Sequence, residues 1–251
     1  MTTCYVVVPT YNEYDNLRRL VEHLLSLDIE DLKVIVVDDA SPDGTGQLAD
    51  TLAREHAGRV DVLHRAGKQG LGTAYCEGFT LALERGAGHI VQMDADLSHP
   101  PGLIPTMISA LETCDVVVGS RYTRGGGLDS DWPLYRKLMS WAANNYFRRV
   151  LGLPIADITT GFVAFRSSAL AQLELTKVGS SGFFFLAEVK LTCHRLGFRI
   201  REVPFIFMNR TAGKSKIGLG IMLEAMWKVW WLRFSRTHAV RPTAFPAGTL
   251  P

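Results

Sequence analysis

Along the chain, short continuous apolar runs alternate with longer stretches in which apolar positions recur at a period of 3.6. Cys4 to Val8 is a short β-rich run closed by Pro9, which reads as a buried strand. Leu17, Leu20, Val21, Leu24 and Leu25 then recur at helical spacing. Lys33 to Val37 is a second strand, ending at Asp38-Asp39; Gly44 to Ala57 reads as helix and Val60 to Leu63 as a third strand. Thr73 to Leu83 is helical, with Gly86 and Gly88 stopping it, and His89 to Met93 is a fourth strand ending at Asp94. Leu103 to Leu111 is helical, and Asp115 to Gly119 is a fifth strand.

Such alternation with short connections predicts an α/β fold, a mostly parallel sheet with helices on both faces. Sheets of that kind bind ligands at the carboxyl ends of their strands. Pro9, Asp38, Asp39, Asp94, Asp96 and Arg121 all fall at or just past predicted strand ends, which marks one edge as the candidate site. After residue 120 the pattern changes. Gly125-Gly126-Gly127 reads as a mobile loop and Leu134 to Leu151 as a helix with aromatic and basic residues. Gly161 to Arg166 reads as strand, Phe183 to Leu196 as helix, Phe198 to Phe207 as strand and Ile217 to Phe234 as a long apolar helix. Residues 1–235 are expected to form one domain, and residues 236–251, with three prolines, a disordered tail.

Of the 251 residues, 47% are hydrophobic and 21% charged, a globular balance that excludes a disordered or collagen-like chain. A formal net charge of +2 does not suggest a protein that coats nucleic acid. Cys4, Cys76, Cys114 and Cys193 lie far apart with no CxxC pair, so neither a zinc site nor a disulfide framework is expected. The apolar runs are too short or too interrupted to span a bilayer, and the N-terminus has no signal-peptide pattern. The expectation is a cytoplasmic protein whose membrane contact is peripheral.

Asp94-Ala95-Asp96 places two carboxylates two residues apart at a strand end, where both can converge on one hard cation. The plain alternative is an exposed acidic turn. Asp38-Asp39 at a second strand end weakens it.

Four ordered segments make the pattern specific: Val8 to Glu13, Val36 to Thr45, Asp94 to Pro101, and Gly119 to Tyr122. Together they resemble an inverting family 2 glycosyltransferase of the GT-A fold, with a Rossmann-like central sheet, over roughly residues 4 to 235. The nearest subgroup is the polyprenol (dolichol) phosphate mannose synthases. By that resemblance Pro9, Tyr11 and Glu13 hold the nucleotide end of the sugar donor, and Val37 and Asp39 contact its base and ribose. Asp94, Ala95 and Asp96 bridge the donor diphosphate through Mg²⁺ or Mn²⁺. Ser98 stands where some relatives place Gln as a further metal ligand, but its shorter hydroxyl binds through water or not at all.

The same resemblance assigns Arg121, Arg136 and Ser140 to the lipid phosphate, with Arg136 and Ser140 four apart on one helix face. Arg210 and Lys216 fall near the donor diphosphate and the acceptor; the catalytic set it implies is Asp94, Asp96, Arg121, Arg210 and Lys216. Gly70-Leu71-Gly72 starts like a dinucleotide fingerprint, but Tyr75 stands at the third glycine. His64, His89, His99 and His194 have no metal spacing and read as structural or surface residues.

Leu219, Leu223, Met226, Trp230 and Phe234 share one face of the last predicted helix, widened by Trp227, Lys228 and Trp231. That face either packs on the core or, over 217–234, meets a membrane interface. The implied activity is mannose transfer from GDP-mannose to polyprenyl (dolichyl) phosphate at the cytoplasmic face of a membrane, which the protein meets through this helix, a groove or a membrane-anchoring partner protein. A family 2 enzyme using UDP-glucose or UDP-GlcNAc, and a non-catalytic nucleotide-sugar-binding protein, stay open at this point.

Overall fold

The structure is a computed structural model, and it describes residues 2–175, 183–208 and 219–234. Its strands are β1 (Cys4–Thr10), β2 (Leu32–Asp38), β3 (Val60–His64), β4 (His89–Gln92), β5 (Val116–Ser120), β6 (Gly127–Leu128), β7 (Val163–Arg166), β8 (Ile200–Pro204) and β9 (Ile206–Phe207). Its helices are α1 (Tyr14–Leu25), α2 (Thr45–Glu55), α3 (Leu71–Glu84), α4 (Ile104–Ala110), α5 (Leu134–Leu151), α6 (Ser167–Leu170), α7 (Phe183–Arg195) and α8 (Leu219–Phe234).

Seven strands form one sheet in the order β3-β2-β1-β4-β7-β5-β8. Every pairing in it is parallel except those of β7, which runs antiparallel between β4 and β5. Successive residues of a strand face opposite layers, and β1 shows this directly. Tyr5 and Val7 enter a core built with α3, α5, α7 and α8. Cys4, Val6 and Val8 enter the opposite core, built with α1, α2 and α4. The sheet is therefore the middle of three layers. α1 closes its side with Leu17, Leu20, Val21 and Leu24, the helical stripe expected from the sequence.

Several expectations need correction. β1 does not stop before Pro9; it runs to Thr10. The pairing of β1 with β4 ends at Val7, so beyond it the missing N–H of Pro9 faces no ladder partner on that side. The strand expected over Phe198 to Phe207 is two strands, because the chain leaves the main sheet after Pro204 and pairs Ile206 and Phe207 with β6. The glycine run is not an open loop. Gly127 pairs in β6, Gly126 donates its N–H to the Thr123 carbonyl (2.9 Å), and a Cβ at Gly126 would lie 2.5 Å from the Ser120 carbonyl. Glycine is there for close backbone approach. The expected tail 236–251 lies outside the described residues, as do residues 217 and 218 of the last predicted helix.

Candidate active site

The loops after β1, β2 and β4 meet at the carboxyl edge of the sheet. Among the described residues three non-glycines have positive φ, and each sits in one of these loops: Asn12 (58°), Ala40 (54°) and Leu97 (61°). Left-handed backbone costs an alanine or leucine roughly 1–2 kcal/mol, so the surrounding bonds must hold it. They do so visibly. Ser41 accepts the Asn12 N–H, Thr45 Oγ1 accepts the Glu13 N–H, and Asp43 accepts the Tyr14 N–H (3.0, 3.0 and 3.2 Å). Asp38 is buried and accepts from the Thr10 and Ser41 hydroxyls and from the Ser41 N–H. It is a turn brace.

The predicted donor residues are brought together on this frame. Tyr11 is half-buried, with the Lys68 ammonium 4.2 Å above its ring. Glu13 accepts from Asn16 (3.0 Å). Val37 pairs with Pro9, but its side chain is fully buried against α3, so only its backbone is left for a ligand. Asp39 is ion-paired with Arg65, whose Nε donates to Glu77 (3.1 Å) and Nη2 to Thr73 (2.6 Å). Sequence reading passed over Arg65. Its place one residue after β3, at the same edge as Asp39, was the signal.

Asp94 and Asp96 follow β4. The backbone N–H of Asp94 donates to Nδ1 of His99 (3.1 Å), and the Tyr75 hydroxyl donates to Asp94 Oδ1 (3.0 Å). His99 is the structural residue expected, stacked on Phe162; burial lowers its pKa and favours the neutral ring that accepts this bond. Burial, then the Asp94 charge, pushes the Tyr75 phenol well above its ordinary value, so it stays a donor. Ala95 is buried, and so is Asp96, whose Oδ1 takes both the Ser98 N–H and the Ser98 hydroxyl. The Ser98 hydroxyl thus braces Asp96.

Arg121 follows β5. Its N–H and Nε donate to Asp157 Oδ2 (2.9 and 2.7 Å), and Nη2 donates to Asp157 Oδ1 (2.8 Å) and Thr159 (2.7 Å). Asp157 is fully buried. Burial alone would raise its carboxyl, but the Arg121 charge overrides that and holds it below the usual range. Because β7 runs antiparallel, the loop that precedes it enters at the same edge as Asp94. Gly161 packs there, and a Cβ on it would lie 3.3 Å from Asp94 Oδ1.

Arg136 and Ser140 do share a face of α5. The Ser140 hydroxyl is 2.7 Å from Tyr122 Oη, and the Arg136 guanidinium lies 4.1 Å over Trp132. Trp132 meets Phe207, and Arg121 covers both Phe207 and Tyr122 (5.4 and 5.3 Å). Aromatic rings therefore join the three residues expected at one phosphate. Arg210 and Lys216 lie outside the described residues.

Two carboxylates at a strand end suit a hard cation that completes its shell with phosphate and water oxygens. No group of three or more His, Cys, Asp or Glu side chains forms a fuller cage among the described residues.

The profile of glycosyl transferase family 2 matches residues 5–174. The chain is 45% identical to undecaprenyl-phosphate mannosyltransferase of Micrococcus luteus over 220 residues, covering 88% of this chain and 89% of that one. It is 42% identical to polyprenol monophosphomannose synthase of Mycolicibacterium smegmatis over 231 residues, covering 91% and 86%. Among solved structures it resembles glucosyl-3-phosphoglycerate synthase of Mycobacterium tuberculosis, crystallised with Mn²⁺, UDP-glucose and phosphoglyceric acid. That match has a TM-score of 0.67 at 19% identity and covers 92% of this chain and 79% of the other, which establishes the GT-A fold.

Proposed function

The chain belongs to glycosyl transferase family 2, and on that footing we propose that this glycosyltransferase moves mannose from GDP-mannose to a polyprenyl phosphate, inverting the anomeric carbon and releasing GDP. The observation that carries the reading is that Asp94, Asp96 and Arg121 follow strands at one edge of the sheet, with Arg136 and Ser140 joined to Arg121 through aromatic rings. We assign Asp94 and Asp96 to the donor, and Arg121, Arg136 and Ser140 to the acceptor. Relatives at 42% and 45% identity named for mannose transfer to polyprenyl carriers support the choice of sugar and acceptor.

Pro9, Tyr11, Glu13, the Val37 backbone and Asp39 form the nucleoside subsite. Arg65 fixes the Asp39 carboxylate so that it presents acceptors to ribose or base donors. Asp94 and Asp96, with Ser98 bracing Asp96, would hold Mg²⁺ or Mn²⁺ against the diphosphate. When bound, such a cation neutralises the charge that develops on the GDP leaving group. Arg210 and Lys216 are proposed to act on the same diphosphate.

On the acceptor side Arg136 and Ser140 grip the lipid phosphate, and Arg121 adds charge through Nη1, since Nε and Nη2 bond Asp157 and Thr159. A phosphate monoester with a second pKa near 6 is largely dianionic at neutral pH, so attack requires little help from a general base. Catalysis then rests on alignment and leaving-group stabilisation.

The acceptor lipid brings a membrane surface into the reading. No helix among the described residues is long and apolar enough to cross a membrane. We place the protein peripherally, at the cytoplasmic face, on the strength of the exposed aromatic side of α8, with or without an anchoring partner protein.

The test is a transfer assay with short-chain polyprenyl phosphate, Mg²⁺ or Mn²⁺, and GDP-mannose, UDP-glucose and UDP-GlcNAc in parallel. Lipid-linked mannose from GDP-mannose alone, abolished by EDTA, is expected. Asp94→Asn should cost at least about 100-fold in turnover while the protein stays folded. Product from a UDP-sugar instead would overturn the donor, and full activity in Asp94→Asn would overturn the metal assignment.

A further inference from the structure

Tyr75 lies in the middle of the core, not at the surface of the site. It sits on α3 and is fully buried. Its ring stacks on Phe79 (5.6 Å, 24°) and on Phe185 of α7 (5.9 Å, 7°). α3 is seated closely on the sheet, with Gly78 flush against β1 and β2. A Cβ there would come within 2.4 Å of Val7 Cγ1 and 3.0 Å of Val37 Cγ2. The tyrosine hydroxyl is thus delivered by a closely packed layer, and it ends on Asp94 Oδ1 at 3.0 Å.

Asp94 is fixed at its other end too, where its backbone N–H bonds His99 Nδ1. A half-exposed aspartate at a strand end would otherwise be free to turn about both side-chain torsions. The Tyr75 hydroxyl restricts that freedom before any ligand arrives, and the imidazole holds the backbone from which the side chain springs. Groups that orient a metal-ligating carboxylate typically change metal affinity by about 10–100-fold when removed.

We infer that Tyr75 is a positioning residue, whose hydroxyl holds the Asp94 carboxylate in the orientation that receives the divalent cation. This rests on the reading of Asp94 as a cation ligand.

The experiment is Mn²⁺ binding, followed by electron paramagnetic resonance in the presence of GDP, on wild type, Tyr75→Phe and Asp94→Asn. Tyr75→Phe keeps the stacked ring and loses only the hydroxyl. Its Mn²⁺ affinity should fall about 10-fold, with GDP affinity in the absence of cation unchanged. Asp94→Asn should abolish the Mn²⁺ signal change. If Asp94→Asn binds Mn²⁺ as wild type does, the cation reading fails and takes the Tyr75 role with it. If Asp94→Asn loses binding but Tyr75→Phe binds as wild type does, the Tyr75 role alone is overturned, and the hydroxyl is merely a satisfied core group. Should Tyr75→Phe not fold, 3-fluorotyrosine at position 75 retains the hydroxyl. Its ¹⁹F resonance should move when Mg²⁺ is added with GDP, and an unmoved line overturns the proposal.

Discussion

Lys190 directs all three N–H bonds of its ammonium to carbonyl oxygens, those of Ile158, Thr160 and Leu186, at 3.0, 2.7 and 3.3 Å. Two of them belong to the loop that carries Asp157. Burial pulls the ammonium from 10.5 down to about 7, against the opposing pull of Asp157. The sign of the pH effect follows from which state holds the proton. Below about 7 folded and unfolded chains are both protonated here. Between about 7 and 10.5 the unfolded chain binds the extra proton, so stability from this site rises with pH. Wild type should therefore gain several degrees in melting temperature relative to Lys190→Met between pH 7 and pH 9, measured by thermal unfolding; an equal difference at both pH values would count against it. A lysine on an apolar helix gives no sequence sign of such a role, since its partners are backbone atoms of a loop distant in the chain. Asp94, Asp96 and Arg121 were legible because strand ends announce themselves in the hydrophobic pattern. Arg65 and Asp157 were not singled out, and Tyr75 was noted only as the residue that breaks a glycine fingerprint. Their importance comes from what they bond, and pairings across layers leave no period in the sequence.

Among the elements, α3 is the one whose position most constrains the site. Gly78 permits its close approach to β1 and β2. Gly78→Ala should destabilise the fold by about 1–3 kcal/mol, because Val7 is fully buried and has no room to yield. Chemical denaturation measures it; an unchanged midpoint would mean that the layers part easily. Most elements were readable, α5 with the same bounds as expected. What periodicity left open was which side of a helix is covered. α8 buries Val229 and Leu232, whereas Met226, Trp230 and Phe234, the stripe singled out in the sequence, stay exposed. Aromatic content marked both faces as apolar, and only the neighbouring α5 and α7 decide between them. Tyr146 donates to the Met226 carbonyl and accepts from the Trp230 indole (3.0 and 2.9 Å), locking α8 to α5.

At the scale of the whole molecule, apolar side chains gather on these two helices in a way that a water-soluble surface does not require. Trp227 is 79% exposed and Trp231 63%, and Leu134 and Tyr135 of α5 are exposed at 72% and 67%. Tryptophan is at home at the headgroup level of a bilayer. A Trp227→Ser, Trp231→Ser double variant should bind anionic phospholipid vesicles at least about 10-fold more weakly than wild type in a sedimentation assay. Binding that does not change would remove this face from the membrane.

The reversed strand β7 has a consequence for how the molecule is made. β1 to β4 find one another within the first 92 residues, and their side of the sheet carries Asp39, Asp94 and Asp96. On its other side β4 has no neighbour until Val163–Arg166 has left the ribosome, and β5 waits longer still for Ile200–Pro204. An unpaired edge is the part of a sheet most open to wrong partners. The donor half of the molecule can thus assemble in the order of translation, while the seam beside it is closed by segments made much later.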